Sequence, residues 1–297
     1  MTLHCAFIGF GKSTTRYHLP YVLHRKDRWQ VAHIYRRRAK PEEQAPQYSH
    51  IHFTSDLDEV LNDPLVKLVV VCTHADSHFE YAKKALEAGK NVLVEKPFTP
   101  TLEEAKTLFA LANSKGLTVT PYQNRRFDSC FLTTKKVIES GKLGELVEIE
   151  SHFDNYRPLA ETNPGGPQNG EFYGLGVHTL DQIISLFGRP DHVSYDLRSL
   201  RNKANPDDTF EAQLFYGDMK AIVKTSHLVQ IDYPKFIVHG HKGSFVKYGI
   251  DQQETSLKAN VMPGEPGFGA DDSVGELVYV NEAGEMVREA VPLESGD

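Results

Sequence analysis

The first 120 residues alternate short apolar runs with stretches of helical periodicity. The run at 68–72 (Leu-Val-Val-Val-Cys) is apolar throughout, as expected of a strand buried on both faces of a sheet. Apolar residues at Phe79, Ala82 and Leu86 repeat at helical spacing. Such alternation with short connections predicts a doubly wound parallel sheet. The predicted strands are residues 3–8, 29–35, 68–72, 91–94 and 118–120.

Two helix ends in this half carry specific signals. Thr101 and Glu104 have the spacing of a capping box, which predicts a helix from this point to near Gly116. The helix over 76–87 is predicted to end at Gly89, because glycine readily adopts the left-handed conformation that terminates helices.

Beyond residue 122 the pattern changes. Residues 147–153 alternate apolar and polar positions, which is strand periodicity. Further runs of this kind follow one another with no helix between them, so an antiparallel sheet is predicted. We therefore expect an α/β protein of two domains, residues 1–122 and 123–297. The later strand-like runs are 193–200, 209–216, 219–229, 235–239, 243–248 and 276–280, and helices are predicted over 131–138 and 177–187.

Length, charge and cysteine content limit the class of protein. At about 150 residues per domain, 297 residues fit two domains. The formal charge of −7 argues against a nucleic-acid partner, which would require a basic surface. Apolar runs fall far short of the roughly 20 residues that cross a bilayer, and the N-terminus lacks a signal-peptide pattern, so no membrane partner is expected. Three widely spaced cysteines predict no disulfide framework, which favours the cytoplasm.

The first candidate for chemistry follows the first strand. A Gly-x-Gly segment at 9–11 lies between that strand and a helix, which is the context of a dinucleotide-binding loop. The first glycine permits a tight turn, the second lets the backbone approach a pyrophosphate, and the helix N-terminus offers free N–H groups. The third position of the pattern is Thr14, where glycine or alanine is usual. The candidate cofactor-binding residues here are Gly9, Phe10, Gly11, Lys12 and Ser13.

The end of the second strand bears on the choice of cofactor. An NAD site usually has an acidic residue here for the ribose 2′-hydroxyl. This chain has Arg36, Arg37 and Arg38 instead, and the next acid is Glu42. Arginines suit a 2′-phosphate through charge-assisted hydrogen bonds. NADP is therefore the expected cofactor, with Arg36 and Arg37 as its ligands, and NAD with a solvated charge run is the alternative.

Longer motifs are distributed over nearly the whole chain. Residues 72–97 run from Cys-Thr-His-Ala-Asp-Ser-His to Glu-Lys-Pro. Residues 123–128 (Gln-Asn-Arg-Arg-Phe-Asp), 153–158 (Phe-Asp-Asn-Tyr-Arg-Pro) and 176–181 (Gly-Val-His-Thr-Leu-Asp) follow in order. Together they closely resemble the glucose–fructose oxidoreductase, inositol dehydrogenase and rhizopine-catabolism (Gfo/Idh/MocA) family. The 9–11 loop with Tyr17-His18-x-Pro20, and residues 243–254, are similar to one subgroup of it.

The resemblance implies both a fold and an activity. It implies a Rossmann domain, then an α/β domain with an open, mostly antiparallel sheet whose face forms homodimers or homotetramers. The implied reaction is hydride exchange between NAD(P) and a sugar, polyol or related hydroxy compound. The lysine of Glu95-Lys96-Pro97 lies by the nicotinamide in the family, and its bond to proline is often cis. Lys96 is thus a catalytic candidate, and partial burial beside a cationic ring should lower its pKa toward a value suited to proton exchange.

His178 matches the family histidine that takes or returns the substrate's hydroxyl proton. Imidazole suits this role because its unperturbed pKa lies near 6.5. The family usually has an aspartate four residues earlier, where this chain has Gly174. Tyr173, Asp154 or Glu171 could replace that carboxylate; otherwise the substrate differs or the chemistry is impaired.

Other candidates surround the expected cofactor. In this architecture Thr73 and His74 face the cofactor, and His78 is included with them. His74 and His78 have the i,i+4 spacing of helical metal ligands. No third ligand with suitable spacing is visible, so no metal is expected.

The remaining candidates belong to the expected substrate cleft. Gln123, a cofactor ligand, and Arg125 are expected to line it. Asp154 and Arg157 could reach sugar hydroxyls, and structural pairing is the alternative for both. Tyr173 completes the substrate set with Lys96 and His178.

Two expectations concern departures from the family. Gly174 and Thr14 keep open a second function, a cofactor-binding sensor or scaffold with impaired catalysis. The family usually continues with a C-terminal helix after the last strands, and none follows Ser295 in this sequence. We expect apolar surface to be exposed where such a helix would pack.

Overall fold

In the computed structural model, which describes residues 2–162 and 164–296, six parallel strands form the first sheet. Their order is β3-β2-β1-β4-β5-β6, the order of a Rossmann fold. This confirms the predicted doubly wound sheet. The strands are β1 (Leu3–Ile8), β2 (Trp29–Tyr35), β3 (His52–Thr54), β4 (Val66–Val71), β5 (Asn91–Val94) and β6 (Val119–Pro121).

Helices cover both faces of this sheet. On one face Val69 and Val71 pack with Leu86 and Leu108 from two helices. On the other, Val70 packs with residues of the helix after the glycine loop. Strand side chains alternate between faces, so a continuous apolar run is needed to fill both layers. The helices are α1 (Leu19–His24), α2 (Leu57–Asn62), α3 (His78–Glu87) and α4 (Leu102–Lys115), with a π-helical turn (Thr14–His18) before α1.

The predicted capping box of α4 is confirmed. The Thr101 hydroxyl accepts a hydrogen bond from the Glu104 N–H at 3.3 Å, and the Glu104 carboxylate accepts one from the Thr101 N–H at 3.0 Å. Gly116 ends the helix with a φ of 65°, in the left-handed region. The local signals at both ends of this helix therefore agree with its structure.

The residues that follow four of these strands continue the ladder and meet at one edge. The N–H groups of Gly9, Cys72, Glu95 and Tyr122 donate to the carbonyls of Tyr35, Ile8, Val71 and Val94 at 2.7–2.9 Å. Carboxyl ends of parallel strands form the usual ligand-binding edge of such sheets. Residues far apart in sequence are brought together in this way.

The second sheet has eight strands in the order β14-β13-β12-β11-β7-β10-β9-β8. Strands β7 and β10 are parallel and the other pairs are antiparallel, which confirms a mostly antiparallel sheet. Val137 of α5 (Ser129–Glu139) and Ile183 of α6 (Val177–Phe187) pack on one face of it. The strands are β7 (Leu146–His152), β8 (His192–Arg198), β9 (Thr209–Tyr216), β10 (Met219–Ser226), β11 (Phe236–Gly240), β12 (Gly243–Lys247), β13 (Gly275–Val280) and β14 (Met286–Val291).

The chain divides into two compact units, and one segment differs from the sequence-based division. The first unit extends to Tyr122 and also contains Glu254–Phe268, whereas the sequence placed all of 123–297 in the second domain. Most of the short helix α7 (Gln253–Lys258) thus belongs to the first unit. Strands β3 and β14 were not predicted, since β3 is three residues long and β14 is rich in charge. Within the described ranges, no helix has the length and apolar character needed to cross a bilayer.

Candidate active site

The glycine loop has room for a dinucleotide. Gly9 has a φ of 111°, and a Cβ there would lie 2.5 Å from the Cys72 carbonyl oxygen, so only glycine fits. A Cβ at Gly11 would meet no atom within 4 Å, which leaves open space above the backbone. Helical backbone begins at Lys12. The loop therefore combines close backbone access with a helix start, as a pyrophosphate requires.

Thr14 fits the loop despite departing from the usual pattern. It is fully buried, and its hydroxyl donates to the Gly9 carbonyl at 2.8 Å. It also begins the π-helical turn, a feature that often marks functional sites in helices. The hydroxyl thus stabilises the turn that the first glycine makes.

The carboxylate of Glu95 joins the glycine loop to the lysine loop. It accepts hydrogen bonds from the Ser13 hydroxyl, from His18 Nε2 at 2.9 Å and from the Lys96 N–H at 3.0 Å. Burial by itself raises the pKa of Glu95. The three donors lower it by more, so the pKa of Glu95 lies below its usual range. The carboxylate is therefore held ionised, and the next peptide bond, Lys96–Pro97, is cis as the resemblance implied.

A second residue, His78, contacts the same loop at Pro97. The ring nitrogens of His78 lie 2.8 Å from the Pro97 carbonyl oxygen and 3.1 Å from the Thr73 carbonyl oxygen. His78 is 1% exposed, whereas His74 is exposed and Thr73 is half-buried. His78 thus acts on the backbone of two loops, while the predicted cofactor contacts of Thr73 and His74 stay predictions.

The arginines after β2 differ in their surroundings. Arg36 is held by Glu43, with Nε 2.7 Å from Oε1 and Nη2 3.0 Å from Oε2. Burial raises the pKa of Glu43, but Arg36 and Lys40 together lower it by more, so this carboxylate stays ionised. Arg37 is exposed. The Glu43 carboxylate is therefore bound by Arg36 on both of its oxygens.

In the second unit, Arg125 has structural partners. Its guanidinium lies 3.1 Å from the Asp128 carboxylate and 4.9 Å from the centre of the Phe153 ring. Burial raises the pKa of Asp128 to about 6, although Arg125 opposes this. The Gln123 amide donates to the Val177 carbonyl at 3.5 Å. These contacts tie the start of the second unit to the helix that carries His178.

His178 is buried near the start of α6, and Glu171 lies seven residues before it, ahead of the π-helical turn Phe172–Gly176. A Cβ at Gly174 would lie 3.1 Å from Glu171 Oε2. Glu171 Oε1 is 3.0 Å from Nε2 of the buried His227, whose Nδ1 contacts the Asn155 amide oxygen. Glu171 therefore extends its carboxylate over the position where Gly174 has no side chain.

The other substrate candidates are placed differently. Asp154 accepts from the Ser226 N–H at 2.7 Å and lies 3.1 Å from His152 Nδ1. The side chain of Arg157 is exposed, and Tyr173 is half-buried. Asp154 also lines a cavity of about 680 Å³ in the second unit. Arg125, Arg157, Tyr173 and His178 are not among the residues that line it.

Comparison with known proteins identifies the family. A family model described as oxidoreductase family, NAD-binding Rossmann fold, matches residues 3–123. A second, described as the C-terminal alpha/beta domain of the same oxidoreductase family, matches residues 135–296. The chain belongs to the Gfo/Idh/MocA family.

Individual members of the Gfo/Idh/MocA family are similar over nearly the whole chain. The oxidoreductase YhhX of Escherichia coli is 85% identical over 297 residues, covering 100% of this chain and 86% of YhhX. The crystal structure of YhhX gives a TM-score of 0.99 with the same coverage. IolW of Bacillus subtilis, named as a scyllo-inositol 2-dehydrogenase (NADP⁺), is 34% identical over 300 residues, covering 99% of this chain and 83% of IolW. An oxidoreductase from Bacillus cereus is 49% identical with a TM-score of 0.96, covering 100% of this chain and 85% of that structure.

Two site features of this Gfo/Idh/MocA member were missed in the sequence analysis. The contact of His18 with Glu95 was missed, although the Tyr17-His18-x-Pro20 pattern singled out that histidine. His227 was missed without any local signal, because its partners Asn155 and Glu171 are distant in sequence. Among the described residues, no cluster of three His, Cys, Asp or Glu side chains is placed to hold a metal.

Proposed function

We propose that this chain is an NADP-dependent oxidoreductase, with NAD as the alternative, that acts on a CH–OH group of a sugar, polyol or related compound. The observation that carries the proposal is the Glu95 carboxylate, which joins Ser13 of the glycine loop to the backbone of Lys96. This contact links a dinucleotide-binding loop to the lysine that the family uses beside the nicotinamide. The naming of IolW as an NADP⁺-dependent inositol dehydrogenase supports both the cofactor and the substrate class.

Lys96 and His178 act on the substrate hydroxyl in different ways. When bound, the nicotinamide accepts or returns the hydride. Lys96 is half-buried and stabilises the substrate oxygen as its charge changes. His178 takes the hydroxyl proton during oxidation and returns it during reduction. Gly9 and Gly11, with the helix start after them, would hold the pyrophosphate.

The carboxylate that the family usually has at position 174 is supplied by Glu171. Of the three candidates, Tyr173 has no carboxylate, Asp154 contacts the Ser226 N–H and His152, and Glu171 contacts His227. Glu171 is the one whose carboxylate oxygen would lie 3.1 Å from a Cβ at position 174. Glu171 comes directly before the π-helical turn Phe172–Gly176, and its carboxylate lies over Gly174. Glu171 therefore orients the substrate or the proton carrier from a position seven residues before His178. This removes the main ground for the sensor alternative, which the comparisons also do not support.

The cavity of the second unit, which His178 does not line, suits the non-reacting part of a polyhydroxylated substrate. Its volume of about 680 Å³ lies within the usual range for small-molecule sites. Tyr233 and Tyr248 offer aromatic faces for C–H groups, and Asp154 and Asn155 offer polar atoms for hydroxyls. Asn155 also contacts His227, which in turn meets Glu171. A chain of contacts therefore connects the cavity wall to the helix that carries His178.

A turnover assay over a defined panel tests this function. Purified protein is supplied with NADP⁺ or NAD⁺ and with cyclitols, aldoses, sugar acids or linear polyols, and reduced cofactor is followed by absorbance. We expect saturable turnover with at least one member, and a higher kcat/KM with NADP⁺. Saturable NADPH binding without turnover across the panel would instead support the sensor.

The arginines make a prediction about cofactor choice. Replacing Arg37 with Ala should weaken NADPH binding by about 10-fold, because a charge-assisted hydrogen bond to the 2′-phosphate is lost. NADH binding should change little, since NADH lacks that phosphate. Fluorescence titration of both cofactors measures the difference.

Arg36 serves as the comparison for that variant. It is already bound to Glu43, so Arg36→Ala should weaken both cofactors through loss of local structure as well as any phosphate contact. Equal losses for NADPH and NADH in the Arg37→Ala variant would contradict the 2′-phosphate assignment.

The open face of the second sheet is proposed as the homo-oligomer interface. On this face Glu150 of β7 lies between Ile222 of β10 and Ile237 of β11. The opposite face packs against α5 and α6. Ile222→Glu with Ile237→Glu should dissociate the assembly, because it places unpaired charges in a buried contact. Light scattering after size-exclusion chromatography measures the mass, and Ala110→Glu on the exposed side of α4 is the control.

The expected compartment follows from the cysteines. All three are free and buried, which suits a reducing environment, and we propose that the protein works in the cytoplasm.

A further inference from the structure

His18 has no part in the function proposed so far, although it belongs to the sequence pattern Tyr17-His18-x-Pro20. It ends the π-helical turn that follows the glycine loop, and it is 5% exposed. A buried histidine needs a partner for each polar atom that it removes from water. Its surroundings therefore indicate what it does.

The His18 ring is surrounded by residues at the carboxyl ends of four strands. Its Nε2 lies 2.9 Å from the Glu95 carboxylate, after β5. Its ring centre is 4.1 Å from that of Tyr122, after β6, and 5.9 Å from that of Phe7 in β1. The titratable groups that face it are Glu95, Tyr122 and Cys72, which follows β4.

The pKa shifts of His18 and Glu95 make these two residues a charged pair. Burial lowers the pKa of His18, whereas Cys72 and Glu95 raise it, and the net pKa is about 9 against an ordinary 6.5. Since the folded-state pKa is raised, the stabilisation from His18 is fully present below about pH 6.5 and is lost as the pH rises through about 9. Glu95 has a lowered pKa, so it is ionised over that range. At neutral pH the two groups form a buried ion pair under the lysine loop.

We propose that His18 is a positioning residue for Lys96. His18 holds the Glu95 carboxylate, and that carboxylate joins the cofactor loop to the catalytic lysine. The inference rests on the proposed function, because it takes Lys96 as the group that acts on the substrate. The geometry has three parts: His18 and Ser13 donate to Oε1 of Glu95, and Oε2 accepts from the Lys96 N–H. Since His78 contacts the Pro97 carbonyl independently of Glu95, loss of His18 should loosen the loop without removing that contact. If a dinucleotide fixes the position of Ser13, the Glu95 carboxylate would in turn fix the backbone of Lys96.

Hydrogen exchange tests the positioning without any substrate. Wild type, His18→Phe, His18→Gln and Glu95→Gln are compared by mass spectrometry over the peptide that contains residues 95–101. Phenylalanine keeps an aromatic ring but has no donor, and glutamine keeps a donor without charge. We expect faster exchange in His18→Phe and Glu95→Gln, intermediate exchange in His18→Gln, and no change in α4. His33→Phe is the matched control. His33 makes a similar contact, with its Nε2 2.8 Å from the Asp63 carboxylate, and neither residue belongs to this loop.

Kinetics with the turned-over substrate give the second readout. His18→Phe should lower kcat by about 10²-fold, as expected for a misplaced catalytic group, with a smaller effect on KM. In a Glu95→Gln background the same change should have little further effect, because both act through one carboxylate. The acid limb of the kcat–pH profile should also move to higher pH in His18→Phe, since Glu95 loses its cation.

The outcomes separate cleanly. Unchanged exchange in folded His18→Phe and Glu95→Gln would overturn the proposal. So would an equal loss of kcat when His18→Phe is made in wild type and in Glu95→Gln, because that result indicates that His18 acts through packing alone. If wild type turns over no member of the panel, the proposed function fails, and hydrogen exchange alone then decides whether His18 positions the loop. Faster exchange confined to residues 95–101, with the His33→Phe control unchanged, would support it.

Discussion

Lys96→Met is expected to reduce kcat by about 10³-fold or more while NADPH still binds. Methionine keeps much of the length and volume of lysine, so the loop held by Glu95 and His78 should keep its shape. The ammonium that would stabilise the substrate oxygen is lost. The measurement is steady-state turnover of the panel substrate, with NADPH fluorescence as the test of binding. Lys67→Met, at an exposed position of β4, is the control.

His178→Ala should be less severe than Lys96→Met, with a loss of about 10²-fold in kcat. Water can replace a proton carrier in part, whereas it cannot replace a fixed positive charge in a site of low dielectric. An equal loss in the two variants would show that the histidine is an obligatory proton carrier. Undiminished kcat in Lys96→Met would remove the lysine from the mechanism.

Moving a carboxylate between two positions of one helix should first abolish and then restore activity. Glu171→Ala should lower kcat by about 10²-fold, since the group that orients the reacting atoms is removed. Adding Gly174→Asp to that variant should recover most of the loss, because it returns a carboxylate to the family's usual position. Gly174→Asp alone should be destabilised, as its Cβ would lie 3.1 Å from Glu171 Oε2.

Thermal melts and kcat on the three variants complete that test. Glu139→Gln, at an exposed carboxylate on α5, is the matched control and should leave both measurements unchanged. If the double variant is folded, binds NADPH and is no more active than Glu171→Ala, then Glu171 does not stand in for the family aspartate.

The sequence was most informative where structure is decided locally. The capping box at Thr101 and Glu104, the helix over 177–187 and the strand over 209–216 all appear in the structure as predicted. Each depends on periodicity and on capping residues within a few positions. Strand β3 is short, and β14 carries Arg288 and Glu289 where apolar residues would mark a strand, so pairing with neighbours decides both.

The site shows the same division more clearly. The glycine loop and Glu95-Lys96-Pro97 could be found from short motifs. The ion pair of His18 and Glu95 joins residues 77 positions apart, and only the order of the strands brings them together. The position of Glu171 over Gly174 was one of three open alternatives, because a missing side chain does not indicate which neighbour fills its space. Arg36 was predicted as a phosphate ligand or as part of a solvated charge run, and its pairing with Glu43 was missed because Glu43 lies in a separate turn.

The segment Glu254–Phe268 has a kinetic consequence. Tyr17 donates to Glu254 at 3.0 Å, and the Tyr21 and Phe268 rings lie 6.0 Å apart, so the helix after the glycine loop packs against residues made more than 200 positions later. During synthesis the first unit cannot reach its final packing until the ribosome has passed residue 268. Closing so long a loop is slow compared with forming local helices and strands. The cofactor-binding half should therefore remain incomplete for most of translation, although its sheet is encoded first.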